Sequence, residues 1–570
     1  MRNTPLVLCL AVAAALAGCD RGAPATDTDT DAGAAPDAAA APAAHAFSPD
    51  INAADFAEMV RTLASDEFEG RAPGAPGGEK TVEYIKAQYE RLGLEPGGDD
   101  GTFFQTVPMT ETTADPSTVL RLDVGGSPAE LKFGTDMVIG TRTGEPEVKV
   151  ADSELVFVGY GVDAPERGWN DYAGVDVKGK TVVILVNDPG FHGKDASLFE
   201  GERMTYYGRW TYKFEEAARK GAAAALIIHD TEGAAYGWDV VKNSWSGAQF
   251  DLRASDDPEP RLPAQGWITG EVAGKLFADA GLDLQAMYKA ANQPGFKAVP
   301  MKARVSFDLR STTAEKSSRN VVGVMRGSEA PDEAIVYMAH WDHLGKHEGE
   351  GDQIYNGAVD NATGVAGIIE IAEKFKADGQ PKRSIAFVAV TLEESGLLGS
   401  KYQVAHPVFP LDKTVAVVNL DAMSVAGPAR DMVVVGKGNS ELEDVLKTYT
   451  DAQQRTQVME SNPAGGFYFR SDHFNYAKAG VPALYAKGGD DLVDGGKAAG
   501  QAAGSAYTAD RYHKPADEFD AGWNLDGVLQ DLEALYGVGR TLADDGSWPA
   551  WYEGNAFKAA RDAMRSGAQK

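Results

Sequence analysis

From about residue 318 onward, short apolar runs alternate with helical patterns, and this alternation restricts the chain to an α/β architecture. AIVYMA (334–339), SIAFVAVT (384–391) and TVAVVNL (414–420) read as strands, followed by MVVV (432–435) and VPALYA (481–486). Between them, GVAGIIEIAEKF (364–375) and LEDVLKTY (442–449) repeat apolar residues at helical spacing. Unbroken apolar strands separated by helices predict a mixed, largely parallel sheet flanked by helices. Sheets of this kind bind ligands in the crevice beyond the carboxyl ends of their strands.

Those ends are where the chemistry-bearing residues collect. AHWDHLG supplies His340 and Asp342, TLEESG supplies Glu393 and Glu394, and VVNLDAM supplies Asp421. NGAVDNATG adds Asp360 in a Gly-rich loop just before a helix. Any one acidic residue at a turn is commonly a cap or a solvated charge. Several carboxylates at one mouth repel strongly unless a cation compensates them. A divalent-metal site, and two ions rather than one, is the economical reading. The two cysteines, Cys9 and Cys19, both lie in the N-terminal segment, so the metal has to be held by His, Asp and Glu.

The formal charge of −30 argues against general binding to phosphate backbones, so no nucleic-acid partner is expected. Outside the first 18 residues no apolar run approaches the ~20 residues needed to span a bilayer. Residues 1–18 read as a signal peptide, with Arg2 ahead of the apolar stretch Leu6 to Leu16. The sequence Leu16-Ala17-Gly18-Cys19 that follows resembles a bacterial lipobox, which implies lipidation of Cys19. Residues 19–46, rich in Ala, Pro, Asp and Thr, read as a disordered tether. Helical spacing returns around 54–65 and 77–92, on either side of the loop GRAPGAPGGEK. From about residue 118 the texture becomes β-rich, with ELVFVGYGV (154–162) and KGKTVVILV (178–186), then helical YKFEEAARKGA leading into AAALII (223–228). This stretch resembles the protease-associated (PA) domain and is expected to form an insert over 120–295. Its aromatic cluster, Tyr206, Tyr207, Trp210 and Tyr212, reads as core, with a place on a pocket wall as the alternative.

HWDH, GAVDN, LEES, NLD, RSDHF and YHKPAD, in this order, resemble the M28 family of di-zinc peptidases over residues 47–110 and 310–545. The resemblance implies a zinc exopeptidase-like fold, with 47–119 and 296–570 forming the peptidase around the insert. It implies two Zn²⁺ ions: His340, Asp360 and Asp421 on one, and Asp360, Glu394 and His513 on the other. It makes Glu393 the general base toward a water bridging the ions, and Asp342 the acceptor that fixes the His340 tautomer. Tyr512 is a candidate donor to the tetrahedral oxyanion, with packing as the alternative, and Arg470 is a candidate substrate contact. Asp472 and His473 would shape the wall. His343 and His347 do not match ligand positions, and His45, His192, His229 and His406 take structural readings. The activity implied is that of an aminopeptidase acting on peptides. A carboxypeptidase of the same family would need a cationic pocket, toward which only Arg470 stands near the motifs. A glutaminyl cyclase would not need all five ligands, and a binding protein that had lost catalysis would show broken ones. The anchor at Cys19 implies a bacterial envelope protein held at a membrane and facing the periplasm. Only 57 residues follow His513, which argues for a monomer.

Overall fold

The computed structural model describes residues 45–568, apart from Pro258. The signal peptide, Cys19 and all but the last two residues of the tether lie outside the described residues. Among the described residues, no helix is long and apolar enough to cross a membrane.

Four parallel strands form the heart of the C-terminal half. Ala330–His340 lies between Arg383–Val390 and Thr414–Asn419, and Ala483–Gly488 pairs with the far side of Thr414–Asn419. An antiparallel strand follows on each flank: the end of Val299–Met325 beside Arg383–Val390, and Asp431–Val434 beside Ala483–Gly488. The α/β fold with a largely parallel sheet is therefore the architecture observed. Alternate side chains on the central strand serve two cores, as the two-residue repeat of a strand requires. Ile335, Tyr337 and Ala339 face the helices Ala53–Leu63, Pro76–Leu92, Thr363–Asp378 and Asp526–Asp544, through Phe56, Ile85, Ile368 and Leu532. Val336 and Met338 face the opposite side, against Phe474, Tyr476 and Phe557.

Residues 119–310 build a second sheet with its own core. Glu147–Phe157, Thr181–Leu185, Ala224–Ile228 and Ala264–Ile268 run parallel in that order, and Met137–Gly140 pairs antiparallel at the edge. Phe157, Val183, Leu226 and Phe277 are buried at its centre. One feature escapes the sequence pattern. Val299–Met325 is a single strand of 27 residues. Its first half pairs with Val119–Val124 and Glu147–Phe157 of the insert, and its second half with Phe104–Ala114 and Arg383–Val390. Residues 299–310, assigned above to the peptidase part, thus belong to the insert's sheet by pairing. The strand continues through the polar run 311–319, where no apolar alternation signals it.

Candidate metal centre

Register places the strand ends side by side. His340 is opposite Val390, and Met338 is opposite Asn419. The residues just past these positions, Glu393, Glu394 and Asp421, therefore reach the same edge as His340. Leu392 adopts a left-handed backbone (φ 58°), turning the chain sharply before the two glutamates. For a non-glycine residue such a conformation costs about 1–3 kcal/mol, and it is retained where surrounding structure fixes it. The Glu393 amide donates to the Asp342 carboxylate (3.1 Å), which locks the turn. Asp360 enters from the loop before the helix Thr363–Asp378. That loop needs glycine at 357, where φ is 54° and a Cβ would lie 2.3 Å from the Asp360 carbonyl oxygen.

The geometry around Asp360 is that of a bridge. Its Oδ1 lies 3.2 Å from His340 Nε2, and its Oδ2 lies 3.2 Å from His513 Nε2. Asp421 Oδ1 is 3.6 Å from the same His340 nitrogen, and Glu394 Oε2 is 3.1 Å from His513 Nε2. His340, Asp360 and Asp421 form one group able to hold a metal ion, and His343, Asp360 and Glu394 form another. Glu393, Tyr512 and Arg470 share a cleft of about 910 Å³ with His340, Asp360, Glu394, Asp421 and His513.

Protonation follows the excess of carboxylate. Burial alone would lower the His340 pKa, yet Glu393, Asp360 and Asp421 hold it well above its ordinary value. Burial likewise opposes protonation of His513, but Asp360 and Glu394 push it up to about 10. Asp360 sits well below the usual carboxylate range: burial raises it, and the His340 and His513 bonds outweigh that. Glu393 is pushed well above its ordinary value by burial and by Glu394 and Asp421, which suits a group that has to take up a proton. A site that keeps its imidazoles protonated to balance its acids is one where metal ions can replace those protons. The donors fit such ions, being imidazole nitrogens and carboxylate oxygens arranged in two groups that share Asp360.

Asp342 plays a different part from the one expected. His340 Nδ1 meets the main-chain carbonyl of Asp342 at 3.1 Å, while the carboxylate lies 4.0 Å away and is engaged by the Glu393 amide. A Nδ1–H donating to that carbonyl leaves Nε2 unprotonated for a metal. Tyr512 stacks on the His513 ring (3.9 Å between centroids). Asp472 accepts from Ser400 Oγ (2.6 Å) and His473 packs on Tyr468 and Tyr485; both are fully buried behind the cleft rather than on its wall, where the sequence reading put them. Tyr207 and Tyr212 are core residues of the insert, whereas Trp210 faces the cleft.

Five residues were not singled out from the sequence for the roles they occupy. His343, set aside above, holds Glu394 Oε1 with its Nδ1 at 2.8 Å. Ser471 donates to Asp421 Oδ2 (2.5 Å) and accepts from Asn419 (2.7 Å). Asp517 caps the Asp360 loop by accepting the Val359 and Asp360 amides (3.2 and 3.1 Å). Lys487 Nζ reaches the Tyr485 hydroxyl (2.9 Å) and the Ala422 carbonyl (3.1 Å), anchoring the turn after Asp421. Arg209, delivered by the insert, lines the cleft with Arg470. Ser471 and Asp517 lie within RSDHF and YHKPAD, so their motifs were visible although their contacts were not.

Part of the chain resembles known proteins. Residues 320–535 match the model of Peptidase family M28. A probable glutamate carboxypeptidase, AMP1, of Arabidopsis thaliana is 24% identical over 406 residues, 65% of this chain and 52% of that protein. Aminopeptidase NAALADL1 of Mus musculus is 31% identical over 163 residues, 27% of this chain and 20% of that protein. The chain thus spans about half the length of the first relative and a fifth of the second. Among solved structures, the aminopeptidase from Aneurinibacillus sp. strain AM-1 superposes with a TM-score of 0.47 at 20% identity, covering 86% of this chain and 94% of that one.

Proposed function

We propose that the chain is a zinc-dependent exopeptidase, in the first instance an aminopeptidase, with two zinc ions on the groups joined by Asp360. The observation that carries this reading is the split of the Asp360 carboxylate, one oxygen toward His340 and the other toward His513. The match of residues 320–535 to Peptidase family M28 supports it. Zinc held there supplies a Lewis acid for the scissile carbonyl and lowers the pKa of the attacking water. His340, Asp421 and Glu394 are further ligands; on the second ion the imidazole is His513, near both Asp360 and Glu394, while His343, within reach of the same two carboxylates, holds Glu394 Oε1. The Glu393 carboxylate takes a proton from the water and returns it to the leaving nitrogen. Tyr512 lines the same cleft, and its hydroxyl serves as donor to the developing oxyanion. The acidic end of the cleft accepts the substrate's free α-amino group.

One observation favours a second reading, a carboxypeptidase. Among the described residues, neither Arg209 nor Arg470 has an acidic partner; Arg470 lies over the Phe467 ring (5.2 Å), and Arg209 Nε is sealed from solvent with no hydrogen bond. Two unpaired guanidinium groups at one wall suit a substrate carboxylate. Peptides with free, N-blocked and C-amidated ends separate the two readings. Cleavage that survives amidation and stops on N-blocking supports the aminopeptidase; the reverse supports the carboxypeptidase. Glu393→Gln should retain zinc and lose about 10²–10⁴-fold in kcat. Near-normal turnover in that variant would remove Glu393 from the mechanism. The lipobox adds the proposal that the enzyme works at the bacterial envelope, held by acyl chains on Cys19. Recovery of wild type in a soluble fraction, with Cys19 unmodified, would overturn it.

A further inference from the structure

The loop GRAPG, far upstream of the metal motifs, sends one side chain beneath them. Arg71 is 1% exposed and has no ion-pair partner within 4 Å among the described residues. Its guanidinium instead donates to four main-chain carbonyls. Nε reaches Trp341 (2.9 Å), Nη1 reaches Leu63 (2.9 Å) and Asn356, and Nη2 reaches Gly357 (2.8 Å). Trp341 lies between His340 and Asp342, and Gly357 lies three residues before Asp360. The Arg71 carbonyl also accepts the amide of His343, whose ring holds Glu394. One residue therefore ties together the segments carrying His340, Asp360 and the support of Glu394.

The backbone is bent to make this possible. Glu69, Gly70 and Arg71 are all left-handed, with φ of 47°, 66° and 54°. At Gly70 a Cβ would lie 2.5 Å from the Gly345 carbonyl oxygen and 2.6 Å from that of Tyr355, so only glycine allows the approach. Burial lowers the Arg71 pKa to about 10, and the fields of Asp517, Asp360, Asp342 and Glu394 oppose that loss of charge. The group stays cationic at neutral pH, beside acids that it does not touch. A planar fork with fixed N–H directions can span two loops in a way that a lysine ammonium cannot.

We propose that Arg71 is a positioning residue that sets the spacing between the two halves of the metal centre and keeps the ligands assembled before metal arrives. The proposal deepens the functional reading above and rests on it for the identity of the ions. It is tested on the full chain by zinc affinity, measured by competition with a chelator, and by amide hydrogen exchange. Arg71→Lys keeps the charge and loses the fork, and should bind zinc at least about 10-fold more weakly, the range seen for outer partners of metal ligands. Leu226→Ala, in the core of the insert, lowers stability without touching these carbonyls and should bind zinc as wild type does. Folded Arg71→Lys with wild-type affinity, or an equal loss in Leu226→Ala, would overturn the proposal. If Arg71→Lys does not fold, exchange in zinc-free wild type decides. The amide of His343, which donates to the Arg71 carbonyl, should be protected as strongly without zinc as with it, and protection that appears only on zinc addition would contradict pre-assembly. Failure of wild type to bind zinc would instead refute the zinc assignment, leaving the exchange result to judge Arg71.

Discussion

Replacing Arg209 with methionine should make the protein more stable and its cleft less discriminating. Burial, with a contribution from Arg470, lowers the Arg209 pKa from 12.5 to about 10. At 1.36 kcal/mol per unit, that drop of about 2.5 units corresponds to roughly 3.4 kcal/mol lost by keeping the charge at the cleft wall. The residue is only half-buried, so about half of this, 1–2 kcal/mol, is the expected gain when methionine keeps the apolar stem and removes the cation. The functional effect has the opposite sign. A charge-assisted hydrogen bond to a carboxylate contributes about 1.5–3 kcal/mol, or roughly 10–150-fold in kcat/KM. The assay pairs equilibrium urea unfolding with kcat/KM on two peptides differing only in a free or amidated C-terminus. Arg209→Met should unfold at higher urea and, on the carboxypeptidase reading, lose its preference for the free acid. A variant that is less stable, or whose preference is unchanged, would refute the argument that this guanidinium awaits a substrate anion.

Glu370, buried on the helix that follows Asp360, has its pKa raised to about 9 by burial and by the neighbouring Glu373 and Asp55. Its folded-state pKa exceeds the unfolded one, so its contribution is complete below pH 4.5 and is lost as pH rises toward 9. Glu370→Gln should therefore match wild type near pH 4.5 and exceed it progressively at higher pH, by on the order of 2–4 kcal/mol at neutrality; parallel unfolding curves at several pH values would expose a flat difference if the reasoning is wrong. Ser471→Ala removes the hydroxyl that orients Asp421 and leaves the Asn419 amide without its acceptor. It should weaken zinc binding about 10-fold while lowering stability by only ~1–2 kcal/mol, and chelator competition showing unchanged affinity would remove Ser471 from the site.

Much of this fold is legible in the chain because parallel strands buried on both faces leave continuous apolar runs, and AIVYMA, SIAFVAVT and TVAVVNL are such runs. Residues just beyond three runs of one sheet must share an edge, which is why His340, Glu394 and Asp421 could be grouped before any coordinates. Asp360 was legible from its Gly-rich loop just before a helix, whereas His513, which terminates no strand, came through the motif resemblance. What escaped depends on tertiary approach. Arg209 lies 131 residues before His340 and reaches the cleft only because the insert packs beside it. Arg71 enters through left-handed residues in a loop with no periodicity to read. His343 carries the same side chain as a ligand, and only distance shows that it supports Glu394. At Asp342 the residue was identified but the acting atom was not, because main-chain and side-chain acceptors two residues away are indistinguishable in sequence.

The central claim is that Asp360 joins two zinc ions in one catalytic centre. The direct measurement is titration of chelator-stripped protein with Zn²⁺, following bound metal by elemental analysis and peptide hydrolysis in the same samples. The account predicts two tightly bound equivalents per chain, recovery of hydrolysis as they bind, and loss of the bridged pair in Asp360→Asn. Hydrolysis that persists without any bound divalent ion, or saturation of activity at a single equivalent with the second group never occupied, would contradict it.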